Sequence, residues 1–137
     1  MSILVLDACA LIALLQNEAG AEIVDDAIQA ARAGKAQIRI HQINLLEVYY
    51  DAYRRHGRPS ADLLLYELAK QPITVIRGMS DAVFLEAGRL KAAGGLSLAD
   101  AVALAETLVS GGQLLTADHL EFDPVEKREN VRIQWIF

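Results

Sequence analysis

The sequence predicts an α/β protein, a three-layer α/β/α sandwich around a mainly parallel sheet. Two observations carry that expectation. Short apolar runs alternate along the chain with stretches of helical periodicity, the pattern of strands joined by crossover helices. The first of the runs, Ile3-Leu4-Val5-Leu6, is apolar at every position, as suits a strand covered on both faces.

The elements follow in order. Ile3 to Leu6 is a buried strand, and a helix follows from Ala8 to Gln16. A second helix, Ala19 to Ala33, places Ile23, Ala27, Ile28 and Ala31 at helical spacing and stops at Gly34. Gln37 to Ile40 is a strand. Asn44 opens a helix to about His56, closed by Gly57, and Ser60 caps another to about Gln71, ahead of Pro72. The β-branched run Ile73 to Ile76 is a strand. Ser80 starts a helix to Ala93, ended by Gly94-Gly95, and Ser97 starts one to Ser110, ended by Gly111-Gly112. Gln113 to Thr116 is a strand, a polar loop follows, and Arg132 to Ile136 is the last strand.

The 137 residues, 53% hydrophobic and 23% charged, suit one core and exclude intrinsic disorder, so residues 1–137 are expected to form a single domain. The one cysteine, Cys9, excludes an intrachain disulfide and a cysteine-based zinc cluster, and fits a reducing compartment. No basic start of a secretion signal precedes the first apolar stretch and no run reaches bilayer-spanning length, so a cytoplasmic protein with no membrane partner is expected. With 13 Lys and Arg against 18 Asp and Glu, the net charge of −5 argues against indiscriminate electrostatic binding of nucleic acid. A local basic patch or a metal ion can still reverse the field at one site.

In a parallel sheet, ligands bind outside the carboxyl ends of the strands. Four acids fall there. Asp7 directly follows the first strand, and Asp118 comes two residues after Thr116 at the exit of a later strand. Glu47 and Asp100 lie in the first turns of helices. Each has an ordinary explanation on its own. Asn44-x-x-Glu47 and Ser97-x-x-Asp100 fit the capping-box pattern, Asp7 could cap a helix, and Asp118 could be a turn residue. Capping does not explain why all four converge on one rim. Gathered carboxylates repel one another and need a compensating cation, and an all-oxygen set without His or Cys points to Mg2+ or Mn2+ over Zn2+. Such an ion activates water and neutralises charge at a phosphodiester.

These segments resemble a known family. Leu6-Asp7-Ala8-Cys9-Ala10-Leu11-Ile12-Ala13-Leu14 resembles the first motif of PIN-domain ribonucleases, and Ile43-Asn44-Leu45-Leu46-Glu47-Val48 the second. Leu98-Ala99-Asp100-Ala101-Val102-Ala103-Leu104-Ala105 resembles the third, and Leu114-Leu115-Thr116-Ala117-Asp118, followed by Phe122, the fourth. Order, spacing and length are similar to the VapC-type toxins of toxin–antitoxin pairs. The resemblance implies a PIN-like fold and a Mg2+- or Mn2+-dependent endoribonuclease that cleaves RNA through metal-activated water. It implies Asp7, Glu47, Asp100 and Asp118 as the catalytic, metal-holding quartet, Thr116 as a hydroxyl bonded within it, and Asn44 as a polar neighbour. It also implies a homodimer, a cognate antitoxin that reaches into the acidic pocket, and an RNA substrate. Cys9 stands where the family often has Ser. Glu121 and Asp123, in the loop after Asp118, could supply or replace one metal contact but rank below Asp118.

Arg54-Arg55-His56-Gly57-Arg58 is the densest basic patch, and Arg54 and Arg58 are candidates for gripping RNA; cations at a helix C-terminus also complement its dipole. Asp51 reads as an ion-pair partner of Arg54 or Arg55. Tyr49, Tyr50 and Tyr53 could stack on bases, but core or dimer packing is the more common use of such residues. Cys9 reads as a small buried packing residue, and His119 as a solvated loop residue. A receiver domain would want adjacent acids after the first strand, and a haloacid-dehalogenase-type phosphatase a second Asp where Cys9 stands. The remaining alternative is a non-catalytic PIN-like scaffold binding RNA or protein, which the complete acidic set argues against.

Overall fold

The computed structural model describes residues 1–137. Five strands, β1 (Ser2–Leu6), β2 (Ala36–His41), β3 (Ile73–Ile76), β4 (Gln113–Thr116) and β5 (Ile133–Trp135), form one sheet in the order β3-β2-β1-β4-β5. Every neighbouring pair is parallel, with Leu6 opposite Ile40 on one side and Leu115 on the other. Seven helices connect them: α1 (Ala8–Leu15), α2 (Ala21–Arg32), α3 (Gln42–His56), α4 (Arg58–Leu68), α5 (Asp81–Ala93), α6 (Leu98–Ser110) and α7 (His119–Glu129). The expected three-layer sandwich is therefore found. No helix is long and apolar enough to cross a membrane.

The pleat divides β1 between two cores. Leu4 and Leu6 point into a cluster with Leu11, Val24, Ile28 and Val48, under α1 to α3. Val5 points the other way, into a cluster with Leu104, Leu114, Phe122 and Val125, under α5 to α7. In α6 the alanines at 99, 101, 103 and 105 are all buried, so the small side chains let this helix sit deep against its neighbours. The residue that precedes α2 must be glycine. Gly20, at φ +94°, lies so close to the last strand that a Cβ there would sit 2.4 Å from the Ile136 carbonyl oxygen. Ile136 is thereby packed into the first core, while Phe137 is exposed.

Several boundaries shift by one to three residues, among them the start of α2 at Ala21, the end of α4 at Leu68 and both ends of β5, and three differences have a clear local reason. α3 starts two residues before Asn44, because the His41 Nδ1 accepts the Ile43 N–H at 3.1 Å and caps the helix. α4 starts at Arg58, not after Ser60, since Gly57 turns the chain at φ +86° and Pro59 fits the first helical turn. The polar loop after Thr116 is instead α7. Asp118 caps it by accepting the Glu121 N–H at 3.1 Å, and buried Phe122 and Val125 anchor it despite Pro124.

Candidate functional site

All strands being parallel, their carboxyl ends share one rim, and the strand order reverses direction between β1 and β4. That reversal opens a crevice in sheets of this kind. Asp7 leaves β1 there and Asp118 leaves β4. The first turn of α6 brings Asp100 to the same rim; Glu47 comes from the second turn of α3, not the first as expected, because that helix starts at Gln42.

Asp7 is the innermost, only 1% exposed. Its Oδ1 accepts the Ala10 N–H at 2.9 Å, capping α1, and its Oδ2 accepts the Thr116 hydroxyl at 2.5 Å. Thr116 Oγ1 in turn accepts the Asp118 N–H at 3.0 Å, so one hydroxyl links the ends of β1 and β4. In front of Asp7, carboxylate oxygens of Asp100, Asp118 and Glu121 all lie within 4.8 Å of one another.

Helix capping engages Asp118 at the start of α7 but accounts for neither the Asp100 nor the Glu47 carboxylate. Ser97 Oγ accepts the Asp100 N–H at 3.2 Å, half of a capping box. The other half is not closed by Asp100: the Ser97 N–H donates to Glu121 Oε1 at 3.2 Å, from the neighbouring helix. For Glu47 the capping alternative falls away altogether, because His41 and not Asn44 caps α3. Asn44 instead lies fully buried inside the first turn, its Nδ2 donating to the Ala99 carbonyl at 3.5 Å and its Oδ1 without a partner.

Burial pushes Asp7 up to about 7, against the pull of the Thr116 hydroxyl and the Ala10 N–H, with the charges of Asp118 and Glu47 adding to it. Burial, then Asp7, Glu121 and Asp118, push Asp100 up to about 8, opposed by Ser97. Glu47 is raised by burial, then by Asp118 and Glu121. The charges acting on all three are negative. Two carboxylates 4.8 Å apart repel by roughly 3 kcal/mol at an effective dielectric near 20. A helix N-terminus returns only about 0.3–1 kcal/mol. Helix dipoles cannot hold this group ionised; it must either take up protons or be neutralised by a cation. The donors of the trio are carboxylate oxygens, with the Thr116 hydroxyl bonded to Asp7 beside them, a set that fits a hard divalent ion.

The PIN domain family profile matches residues 4–127, which includes all four acid-bearing segments. The chain belongs to the PIN domain family. The resemblance read from those segments thus holds at the level of the family. Solved structures agree on the fold. A toxin–antitoxin complex from Klebsiella pneumoniae contains a chain 21% identical, with a TM-score of 0.69 and 97% of each chain covered. A DNA-bound VapBC from Salmonella typhimurium contains one 14% identical, with a TM-score of 0.76 and all of both chains covered. VapBC2 from Rickettsia felis, bound to a fragment of promoter DNA, contains one 14% identical, with a TM-score of 0.74 and coverage of 97% of this chain and 98% of that one. No curated protein sequence matches the chain.

Within this PIN domain, Glu121 sits inside the tight trio, and Asp123 does not: it is exposed and bonded to His119 Nδ1 at 2.8 Å. Asp7 and Glu47 lie outside the trio, close enough to feel its charge. In sequence Glu121 ranks below Asp118 because Asp118 holds the motif position. The pattern Asp118-x-x-Glu121 ahead of Phe122 is itself a helix-start signal that would have placed it in a first turn. His119 is exposed, as expected, but it opens α7 and does not lie in a loop. It stacks on Trp135 at 3.8 Å, and its Nε2 reaches the Phe137 carbonyl at 2.8 Å. Cys9 is half-buried, its thiol pushed up to about 11 by burial and by Asp7, so it is no nucleophile. Arg54 and Arg58 lie on the surface, Arg58 paired with Asp62 at 3.5 Å.

Proposed function

We propose that this PIN domain, residues 1–137 acting as one unit, is a Mg2+- or Mn2+-dependent endoribonuclease and the toxin of a toxin–antitoxin pair. The observation that carries the reading is the trio Asp100, Asp118 and Glu121 within 4.8 Å, backed by buried Asp7, with no cation of the chain's own to neutralise it. Asp7, Asp100 and Asp118 hold the ion, Glu47 contributes directly or through water, and Glu121 joins them. When bound, the ion supplies an activated water and neutralises charge building on the phosphodiester. Thr116 keeps Asp7 in one orientation through its hydroxyl. Asn44, buried against the first turn of α6, fixes the spacing between the helices that carry Glu47 and Asp100. Glu47 is suited to orient the attacking water by its raised basicity. Arg54 and Arg58 meet RNA phosphates. Attack that expels the 3′ oxygen leaves a 5′-phosphate and a 3′-hydroxyl.

The partners proposed are RNA, a second copy of the chain and an antitoxin, all in the cytoplasm. Beside the helix that carries Glu47, an apolar groove of about 340 Å3, lined by Leu11, Leu45, Leu65, Leu68 and Val75 among others, suits an antitoxin segment with apolar side chains. The test is metal-dependent cleavage of end-labelled RNA, with and without co-expressed antitoxin. Metal-dependent products bearing 5′-phosphates support the reading; 2′,3′-cyclic phosphates, or cleavage indifferent to metal, overturn it. A chain that neither cuts RNA nor melts higher with Mg2+ or Mn2+ is a binding scaffold.

A further inference from the structure

α3 carries more than Glu47 to the rim. Glu47, Tyr50 and Arg54, at positions i, i+3 and i+7, share one stripe of this helix. Tyr50 lies about 4.5 Å and Arg54 about 10.5 Å from Glu47 along the helix axis. Tyr50 is 50% exposed, so it fills no core, and neither does neighbouring Tyr53. Tyr49 differs: it is half-buried and its hydroxyl donates to Asp62 at 2.7 Å. The Arg54 guanidinium stands 6.0 Å from the Tyr50 ring centre, at the limit of a cation–π contact.

Arg54 is also held more loosely than Arg55 beside it. Asp51 accepts from Gln16 at 3.0 Å and from Arg55 at 3.1 Å, while Arg54 stands off at 3.4 Å on the oxygen that Arg55 already uses. Its side chain is 72% exposed. An aromatic face and a loosely paired guanidinium therefore extend in file from the acidic rim.

We propose that this stripe is a track for single-stranded RNA: an unpaired base beside the scissile phosphate stacks on Tyr50, and the phosphate beyond it is held by Arg54. The inference rests on the nuclease reading and adds the direction in which substrate leaves the site. Stacking on one exposed ring needs a base free of its partner, which selects unpaired RNA. A contact between two copies of the chain is the competing use of exposed tyrosines. It would take the Arg54 charge out of water without supplying an anion, whereas a phosphate supplies one.

Fluorescence anisotropy with a labelled single-stranded RNA and Mg2+ tests the track. The full chain carries Asp100→Asn, a background expected to bind RNA without cutting it. Tyr50→Ala is expected to weaken binding about tenfold and Tyr50→Phe to leave it near the parent value. Arg54→Ala is expected to weaken binding and to lower the slope of log K against log salt by about one. On an oligonucleotide of abasic residues, Tyr50→Ala loses its effect and Arg54→Ala keeps its own. Parent affinity in either alanine variant overturns the track. So does an altered sedimentation coefficient in Tyr50→Ala, which assigns the face to contact between copies. Wild-type chain that cuts RNA beside indifferent variants removes only the track; wild-type chain that cuts no RNA removes the nuclease reading itself.

Discussion

Asp7 and Asp51 are both buried aspartates, 1% and 8% exposed, and they live in opposite company. Asp51, in the middle of α3, is surrounded by donors: the Gln16 amide on one oxygen and the Arg55 and Arg54 guanidinium groups on the other. Asp7, at the rim, has only a hydroxyl and a backbone N–H, and the charges around it are other carboxylates. One acid is satisfied by the fold. The other costs the fold stability unless something from outside brings positive charge. A buried acid with its own cation explains itself; a buried acid among acids calls for a ligand.

The largest expected effect tests that contrast on activity. Asp7→Asn should lower RNA cleavage by at least about a hundredfold while far-ultraviolet circular dichroism stays native, and Asp100→Asn should do the same. Retained activity in either would place the ion elsewhere. Asp51→Ala should do the reverse, destabilising the chain by about 1–3 kcal/mol in urea unfolding, because Gln16 and the arginines lose their acceptor, with metal binding intact.

The contrast also has a pH signature. Asp7 and Asp100 are raised from ordinary carboxylate values to about 7 and about 8, so the folded chain binds more protons than the unfolded one across that interval. Their contribution to metal-free stability is full below about pH 4 and is lost as pH rises through 7 to 8. Thermal melting in EDTA should fall over that window, and Mg2+ or Mn2+ should reverse the fall by binding the deprotonated site. Asp7→Asn should flatten both responses. The smallest effect belongs to exposed His119, which the Phe137 carbonyl and then Asp123 raise above its ordinary value. Its stabilisation is full below pH 6.5 and is lost as pH rises through the raised value, so the melting difference between wild type and His119→Ala should be larger at pH 5.5 than at pH 9.

The order of strands and most helices was legible from the sequence, because buried parallel strands read as apolar runs and Gly94, Gly95, Gly111 and Gly112 punctuate the helices between them. α7 was hidden by composition. Its residues are mostly polar, Pro124 argues against a helix, and only Phe122 and Val125 report its packing. The start of α3 was hidden differently: a histidine cap leaves no common signature, and Asn44 imitates one. At the site, the rim position of Asp7, Glu47, Asp100 and Asp118 followed from strand exits and helix starts. The closeness of Glu121 could not, since it depends on α7 and on a bond to Ser97 in a distant segment. Tyr50 and Asp51 show the same limit: periodicity assigns residues to a helix, but only the neighbouring α1 and α4 decide which face is covered.

The Glu121 bond to the Ser97 N–H has a mechanical meaning. It latches the opening turn of α7 to that of α6, across the gap where mutual repulsion would otherwise spread the two helices. That bond braces the acidic cluster from within. An ion held there would demand a shift in protonation more than a movement of the backbone.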